Sequence, residues 1–587
     1  MPNESTQPGA VLLSEVAARR LTRRRLVGQA GSLISAAALG APLLLEACSP
    51  AAPAAATSTT KPNATSAPGG VTLPTYTPFT GQVQSDLPGN SNGLDPAYFK
   101  FPSQLTQTVP QTPGDGSDVS AIVVLTYSPP PAADQNAAWQ AVNKQLGVNL
   151  KLQMVPSADY QATVNTVLAG SDLPDFIYDA TTTQPLGNIP AITQFASTRC
   201  ADLTSYLSGD AIKDYPNLAN FSTYTWRSGV IDGKLYAIPS ARAPIGTALA
   251  YRKDLFDQAG VQMDNAPKNA DDFKQILQQL TRPDQNQWGI SVAGASTFGL
   301  NTGSAFLSIF RTPNNWKLDS SGKLIKDYET DEFKQAVSFA RDLWSAGLYH
   351  PNTPSYGGSG NPDYAAGRFA VQISVWGQYI QNWDLLASVN PNGKTYPMHP
   401  FAADGGTPVY LAGNGNFGVT FIKQQPSPDR VKMLLRVANF FAAPFGSQEW
   451  LLNYYGVKDT DYKFDDSGTP VATDQGRAEL TATWRYITSP PYALFDSVRS
   501  QEFATVTHTA EQAMLAVVQF DPTLGLQSAS AFQLGIPAQT TLYAGVQDIV
   551  LGRRPLSDLD GLVADWRNAA GEKMRGEYMD ALAATKK

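Results

Sequence analysis

SAIVVLTYSPPPAADQNAAWQAVNKQLGVNLKLQMVPSADYQATVNTVLAGSDLPDFIY, residues 120–178, is the stretch from which the fold is read. Ala121 to Tyr127 is a compact apolar run of strand character. Trp139, Val142 and Leu146 fall on one face of a helix, and Gly147 is placed to end it. Val148, Leu150, Leu152 and Met154 alternate as in a half-buried strand. Tyr160, Val164, Val167 and Leu168 form a second helical face closed by Gly170, and Asp175 to Tyr178 is another short strand. Strand, helix, strand, helix, strand predicts a parallel, doubly wound α/β sheet.

The same alternation continues downstream. Phe273, Ile276, Leu277 and Leu280 make one helix face. Phe333, Val337, Ala340 and Trp344 make another, ending at Gly347, and Phe369 to Val375 is a buried strand. Ser427-Pro428-Asp429 starts a helix by a definite mechanism. The hydroxyl caps, Pro takes the first helical position and Asp faces the positive end of the dipole. Val431, Leu434, Leu435, Ala438 and Phe441 supply its buried stripe.

Upstream, residues 49–70 are Ala, Pro, Ser and Thr with almost no apolar side chains, too few to offset the entropy of ordering. Residues 71–117 stay rich in Pro, Gly and Gln but carry Tyr76, Phe79, Tyr98, Phe99 and Phe101. They read as more tether or as an arm laid on the domain, and 49–117 is assigned to a flexible tether. Residues 1–48 have the order of an export signal: Arg19, Arg20, Arg23, Arg24 and Arg25, an apolar run from Leu26 to Leu45, then Leu45-Glu46-Ala47-Cys48. A membrane-spanning anchor is the competing reading, since ~20 apolar residues span a bilayer. Richness in Ala, Gly and Ser, with Pro42 near the end, favours a cleaved signal. Thr22 to Val27 resembles a twin-arginine signal, and Leu45 to Cys48 resembles a lipobox in which Glu46 replaces the usual small residue. A lipid on Cys48 would then hold the mature chain to the outer face of a membrane.

The 587 residues carry 43 Lys and Arg against 50 Asp and Glu, a net charge of −7. Residues 1–47 hold five Arg and three Glu, so the mature chain carries −9. An acidic chain without a basic tract is not built to neutralise nucleic-acid phosphates. The cysteines are Cys48 and Cys200, so with Cys48 lipidated there is no disulfide. The length suits two or more domain-sized units.

Several segments together resemble family 1 extracellular solute-binding proteins, the receptors of ABC importers. Asp232-Gly233-Lys234-Leu235-Tyr236-Ala237-Ile238-Pro239 is similar to that family's signature strand. Tyr251 to Phe256, Ala259-Gly260-Val261, Pro267 to Phe273, Ala366 to Val371 and Gly413 to Val419 follow in family order. Leu452 to Val457, Ile549 to Asp560 and Glu577-Tyr578 resemble the long-chain lipoprotein branch, with receptors for oligosaccharides and aldouronates. The resemblance implies an α/β fold of two lobes (type II), with a ligand cleft between lobes joined by a hinge. It places the first lobe at 118–243 plus 408–450, the second at 244–407 plus 451–587, and the first crossing at Ala241-Arg242-Ala243-Pro244. It further implies a monomeric receptor without cofactor or catalysis, whose partners are a carbohydrate and the permease subunits of an importer.

Sugars present C–H faces and hydroxyl rims, so their sites need aromatic platforms with paired donors and acceptors. The resemblance puts Trp376, directly after the 369–375 strand, where sugar receptors place a stacking ring; a core tryptophan is the equal alternative. Tyr178 and Asp179 end one strand and Tyr127 another, and Tyr127 reads equally as a rim residue. Arg242 suits a bidentate carboxylate, as in a uronic acid, or an ion pair bracing the hinge. Asn414 and Asn416, between glycines, suit hydroxyl recognition or a plain turn. Trp226 is a weaker candidate. The stretch Pro283 to Gly289, matching a calcium loop of some relatives, has too few carboxylates for calcium, and no metal is expected there. A receptor for peptides or other non-sugar solutes is one rival reading, and a secreted hydrolase is another. The chain has no G-x-S-x-G and no H-E-x-x-H, and His350, His399 and His508 lie far apart in sequence. A carboxylate pair has no obligatory spacing and leaves the hydrolase reading open.

Overall fold

The computed structural model describes residues 70–179, 189, 191–292, 297–356, 361–497 and 499–584. The export signal, Cys48 and the tether up to residue 69 lie outside the described residues. The opening stretch folds as its pattern dictates, into β1 (Asp118–Leu125), α1 (Ala137–Leu146), β2 (Asn149–Pro156), α2 (Tyr160–Ala169) and β3 (Phe176–Asp179). The Asn136 side chain caps α1 by accepting from the Trp139 amide, and Gly147 ends it at φ 64°, a conformation glycine adopts without strain. β4 (Ala237–Ala241) completes the first passage through this lobe.

The chain then crosses to a second lobe. There it forms β5 (Thr247–Arg252), α3 (Ala270–Leu280), β6 (Trp288–Val292), α4 (Asp331–Ser345), β7 (Phe369–Val375), α5 (Trp376–Val389) and β8 (Thr395–Pro397). It returns as β9 (Asn416–Ile422), α6 (Pro428–Phe441) and α7 (Gln448–Tyr455), and crosses again to α8 (Ser500–Ala516) and α9 (Ile536–Val550). Ser427 caps α6 through a bond from the Arg430 amide, 3.3 Å.

Among the described residues the first lobe is built on a five-stranded sheet, order β2-β1-β3-β9-β4, and the second on a four-stranded sheet, order β8-β5-β7-β6. The first sheet is not wholly parallel. β9 runs antiparallel to β3 and β4, because it enters from the opposite lobe. β7 likewise pairs parallel with β6 and antiparallel with β5.

The crossings meet backbone to backbone. Ile245 bridges Ala412, and the Gly413 amide donates to Pro244 O at 3.1 Å. A Cβ added to Gly413 would lie 2.8 Å from the Gly246 Cα, so no side chain fits between them.

Two parts of the chain sit elsewhere than the sequence suggests. Residues 451–487 pack with the first lobe, not the second. Ala482, Trp484 and Ile487 belong to the core beneath the first sheet, and the Trp484 ring meets Trp139 edge-on at 6.1 Å. The passage to the second lobe therefore falls at 488–494, where the Ala241 amide donates to Ser489 O. The return crossing also begins later than residue 408, since Tyr410 and Leu411 still pair with Val518 and Gln519.

Residues 70–117 are the other part. From Gly70 on, the chain is an arm packed against the body, because many of its sparse apolar side chains find cores. Val71 and Leu73 enter the first-lobe core. Ala97 joins the cluster around Trp376 and Tyr379. Tyr98 and Phe101 pack with Phe445, Leu451 and Tyr462.

Two outcomes are expected. Phe101→Ala should lower unfolding free energy by about 3 kcal/mol in denaturant titration; a surface tether would show no change. Cys200 is 5% exposed, and burial pushes its thiol well above the usual range. It should react with a thiol reagent only after denaturation.

Candidate functional site

Ligands of open α/β sheets bind beyond the carboxyl ends of strands. In the first lobe that edge is formed by the residues after β1 and β3, the start of the antiparallel β9, and the end of β4. Tyr127 lies two residues past β1 and is 47% exposed. In the second lobe, Val375 at the end of β7 is 53% exposed. Each sheet thus presents a large apolar side chain at its carboxyl edge.

Around the first-lobe edge a set of rings converges on one cation. Tyr178, fully buried, donates its hydroxyl to Phe417 O at 3.2 Å, and its ring lies 5.2 Å from Tyr486. Tyr486 stacks on Phe417 at 5.8 Å and 27°, and its hydroxyl is 3.1 Å from Thr126 Oγ1. The Arg242 guanidinium lies 4.3 Å from the Tyr492 ring centroid and 5.6 Å from that of Phe417. Arg242 Nη1 donates to Ala241 O at 2.6 Å and to Ser489 Oγ at 3.0 Å. Among the described residues it forms no ion pair, and its Nε has no hydrogen-bond partner. The alternative of an ion pair bracing the hinge is not the arrangement found: rings and neutral oxygens hold this cation. Burial raises the hydroxyl pKa values of Tyr178, Tyr454 and Tyr486, so these groups act as neutral donors and acceptors.

Asp179 is buried at the end of β3. Asn416, half-buried at the start of β9, donates through Nδ2 to Ser228 Oγ at 2.7 Å and to Asn414 O at 3.0 Å. Its Oδ1 has no partner among the described residues. Asn414 is half-buried on the return crossing. Trp226 is fully buried in the first-lobe core, 5.8 Å from Phe221, and presents no open ring face. Trp376 starts α5 as its position after the strand implies, but it is 3% exposed. Its ring stacks on Tyr379 at 4.9 Å and its Nε1 donates to Glu511 Oε1 at 2.8 Å.

The structure therefore brings Tyr178, Arg242 and Asn416 into one neighbourhood and leaves Trp226 and Trp376 in cores. It adds Phe417, Tyr486 and Tyr492, which sequence reasoning passed over. Phe417 directly follows a named candidate. Tyr486 and Tyr492 lie in Trp484-Arg485-Tyr486 and Pro490-Pro491-Tyr492, whose aromatic density was the available signal. A cavity of about 260 Å³ lies beside this cluster, lined by Asp95, Tyr98, Ser222, Thr225, Arg242 and Tyr492 among others. Among the described residues no group of three or more His, Cys, Asp or Glu is placed to hold a metal ion.

Residues 137–487 match the family described as bacterial extracellular solute-binding protein. The chain is 23% identical over 484 residues to the polygalacturonan/rhamnogalacturonan-binding protein YtcQ of Bacillus subtilis, covering 80% of this chain and 92% of YtcQ. It is 23% identical over 488 residues to lipoprotein LipO of the same organism, covering 78% of this chain and 91% of LipO. The fold is shared with alginate-binding protein AlgQ2, with TM-score 0.56, 13% identity, 81% of this chain and 100% of AlgQ2 covered. An extracellular solute-binding protein from Bifidobacterium longum subsp. infantis aligns at TM-score 0.56 and 13% identity, over 82% of this chain and all of its own length.

Tyr492→Leu keeps bulk beside Arg242 and removes the ring face. It should cost about 1 kcal/mol of unfolding free energy in urea titration. An unchanged midpoint would mean the stack contributes nothing.

Proposed function

We propose that this chain, which belongs to the bacterial extracellular solute-binding proteins, captures an oligosaccharide in the cleft between its lobes and delivers it to the permease of an ABC importer. The observation that carries the reading is the wall of Tyr486, Phe417 and Tyr492 around the Arg242 cation at the sheet edge. Ring faces suit the C–H faces of a pyranose. The half-buried amides and hydroxyls beside them suit its hydroxyl rim. A guanidinium held by rings, in no ion pair among the described residues, suits a carboxylated sugar. The name of the relative YtcQ points the same way, since polygalacturonan is a polymer of a uronic acid. The relatives are named as binding proteins, and the chain is read as a receptor without turnover. Its mechanism is closure of the lobes on the ligand by hinge motion, followed by docking of the closed form on the permease.

The same reading gives the N-terminus a role. Export followed by lipid attachment at Cys48 would keep the receptor beside its importer, and the relative LipO is named a lipoprotein.

The test is a thermal-shift screen of the chain from Ser49 against neutral and uronate-containing oligosaccharides. A uronate-containing glycan should raise the melting temperature. Arg242→Ala should weaken its binding roughly 10-fold or more, the loss of a charge-assisted contact of about 1.5–3 kcal/mol, and leave neutral glycans little changed. Failure of every carbohydrate to shift the transition sinks the proposal, and equal loss for neutral and acidic glycans removes the role of Arg242.

A further inference from the structure

The arm touches the first lobe, then the second, then the first again. Near its start the Thr75 amide donates to Gly209 O at 3.0 Å, Thr77 to Ala219 O at 2.7 Å and Phe79 to Asn220 Oδ1 at 2.9 Å. In its middle the partners change to α8 of the second lobe. The Asp95 amide donates to Glu511 Oε2 at 3.1 Å, His508 Nε2 lies 3.1 Å from Pro88 O, and Ser500 Oγ donates to Tyr98 O at 2.6 Å. The arm then returns: Thr106 donates to Gly446 O at 2.9 Å, and Gly114 to Leu146 O at 2.8 Å. Between these anchors it lies along the crossings, with Leu494 N bonded to Pro96 O at 2.8 Å and Tyr98 N bonded to Leu494 O at 3.0 Å.

The middle anchor has an unusual chemistry. Asp95 is 1% exposed and Glu511 is fully buried, and their carboxyl groups are hydrogen-bonded to each other away from water. Glu511 accepts from the Asp95 amide and from Trp376 Nε1. Trp376 in turn donates its own amide to Gly246 O at 3.0 Å, on the first crossing. One carboxylate thus joins the arm, the start of α5 and the hinge.

We infer that residues 71–117 are a strap fastened across the hinge, that the Asp95–Glu511 carboxyl pair is its clasp, and that this clasp limits how far the lobes separate. The proposal is independent of which ligand the cleft takes. Opening or closing the lobes moves α8 relative to the first-lobe anchors, and the strap must slip or unfasten to allow it. Two buried carboxyls in contact are stable together only while they share a proton. Burial pushes Glu511 up to about 8. Burial and then the Glu511 charge raise Asp95 well above the usual carboxylate range, against the opposing pull of Arg242. The remaining groups facing the pair are neutral donors, Trp376 and Tyr379 on α5 and Tyr410 before the return crossing, with His508 one turn away on α8. The folded pKa of Glu511 is raised, so the stabilising contribution is complete below the ordinary carboxylate range and is lost as pH rises through about 8. The clasp is strongest in acid, weakens as pH rises above the ordinary carboxylate range, and is fully loosened in alkali.

The test measures the distance between the lobes. Lys151→Cys on β2 and Gln278→Cys on α3 provide exposed label sites in the chain from Ser49, where Cys200 is buried. Pulsed spin-label distances, taken without ligand, should show one narrow separation at pH 6 and a second, longer one at pH 9. Asp95→Asn, which removes the second ionisable carboxyl, should keep the narrow separation at both pH values. Glu511→Ala should show the longer separation already at pH 6. If Glu511→Ala does not fold, the pH series on the parent chain and Asp95→Asn still decides. An unchanged separation across the pH range in the parent chain overturns the clasp, and so does a pH effect that survives in Asp95→Asn.

Discussion

The structure depends on the contact between two crossings that have no room for a side chain between them. Gly246 and Gly413 bring the first and return crossings to backbone distance, and a Cβ on Gly413 would collide with Gly246 Cα and N at 2.8 Å. Everything assigned to the candidate site is placed relative to this contact. Arg242 precedes it by four residues and Phe417 follows it by four. The amide of Trp376 bonds Gly246 O, which fixes the start of α5 on the second-lobe side. The two strands cannot slide past each other without breaking the Gly413–Pro244 and Ile245–Ala412 contacts.

Electrostatics around the hinge are arranged by burial more than by ion pairs. Arg242 keeps its charge through ring faces and two neutral oxygens, an arrangement open to Arg because its guanidinium is planar and weakly hydrated. Other buried arginines are ion-paired: Arg252 with Asp254 at 2.7 Å, and Arg575 with Glu329 at 2.8 Å. Burying a charge without such a partner is costly. Arg242 contrasts with these ion-paired arginines and shares its ring-held setting with Arg485 over Tyr454 and Arg499 over Trp383.

What the sequence made legible was local. The helix and strand periods of 120–178, the Ser427 cap and the Gly147 stop depend on neighbours within a few residues, and all stand in the fold where their spacing placed them. The end of β7 at Val375, and hence Trp376 at a strand's carboxyl end, was also legible. What became of the Trp376 ring was not, because its indole N–H is taken by Glu511, 135 residues away. The aromatic wall escaped for the same reason: Tyr486 and Tyr492 reach it only because the segment to 487 packs with the first lobe, and apolar content does not say which of two cores a segment joins. The arm was hidden by composition. Its Pro- and Gly-rich sequence has the low apolar density of a linker, yet Val71, Leu73, Ala97, Tyr98 and Phe101 are buried in the cores of the body.

The contact of Trp139 with Trp484 joins residues 345 positions apart and closes one face of the first-lobe core. A chain emerging from the ribosome therefore holds an unfinished first lobe while the second is made, and completes it only after residue 484 is available. Contacts of such long sequence separation are slow to form, because loop closure precedes the reward of packing. The first lobe, begun first, is closed only once Ile487 has been made, and the second only once Tyr578 joins its core.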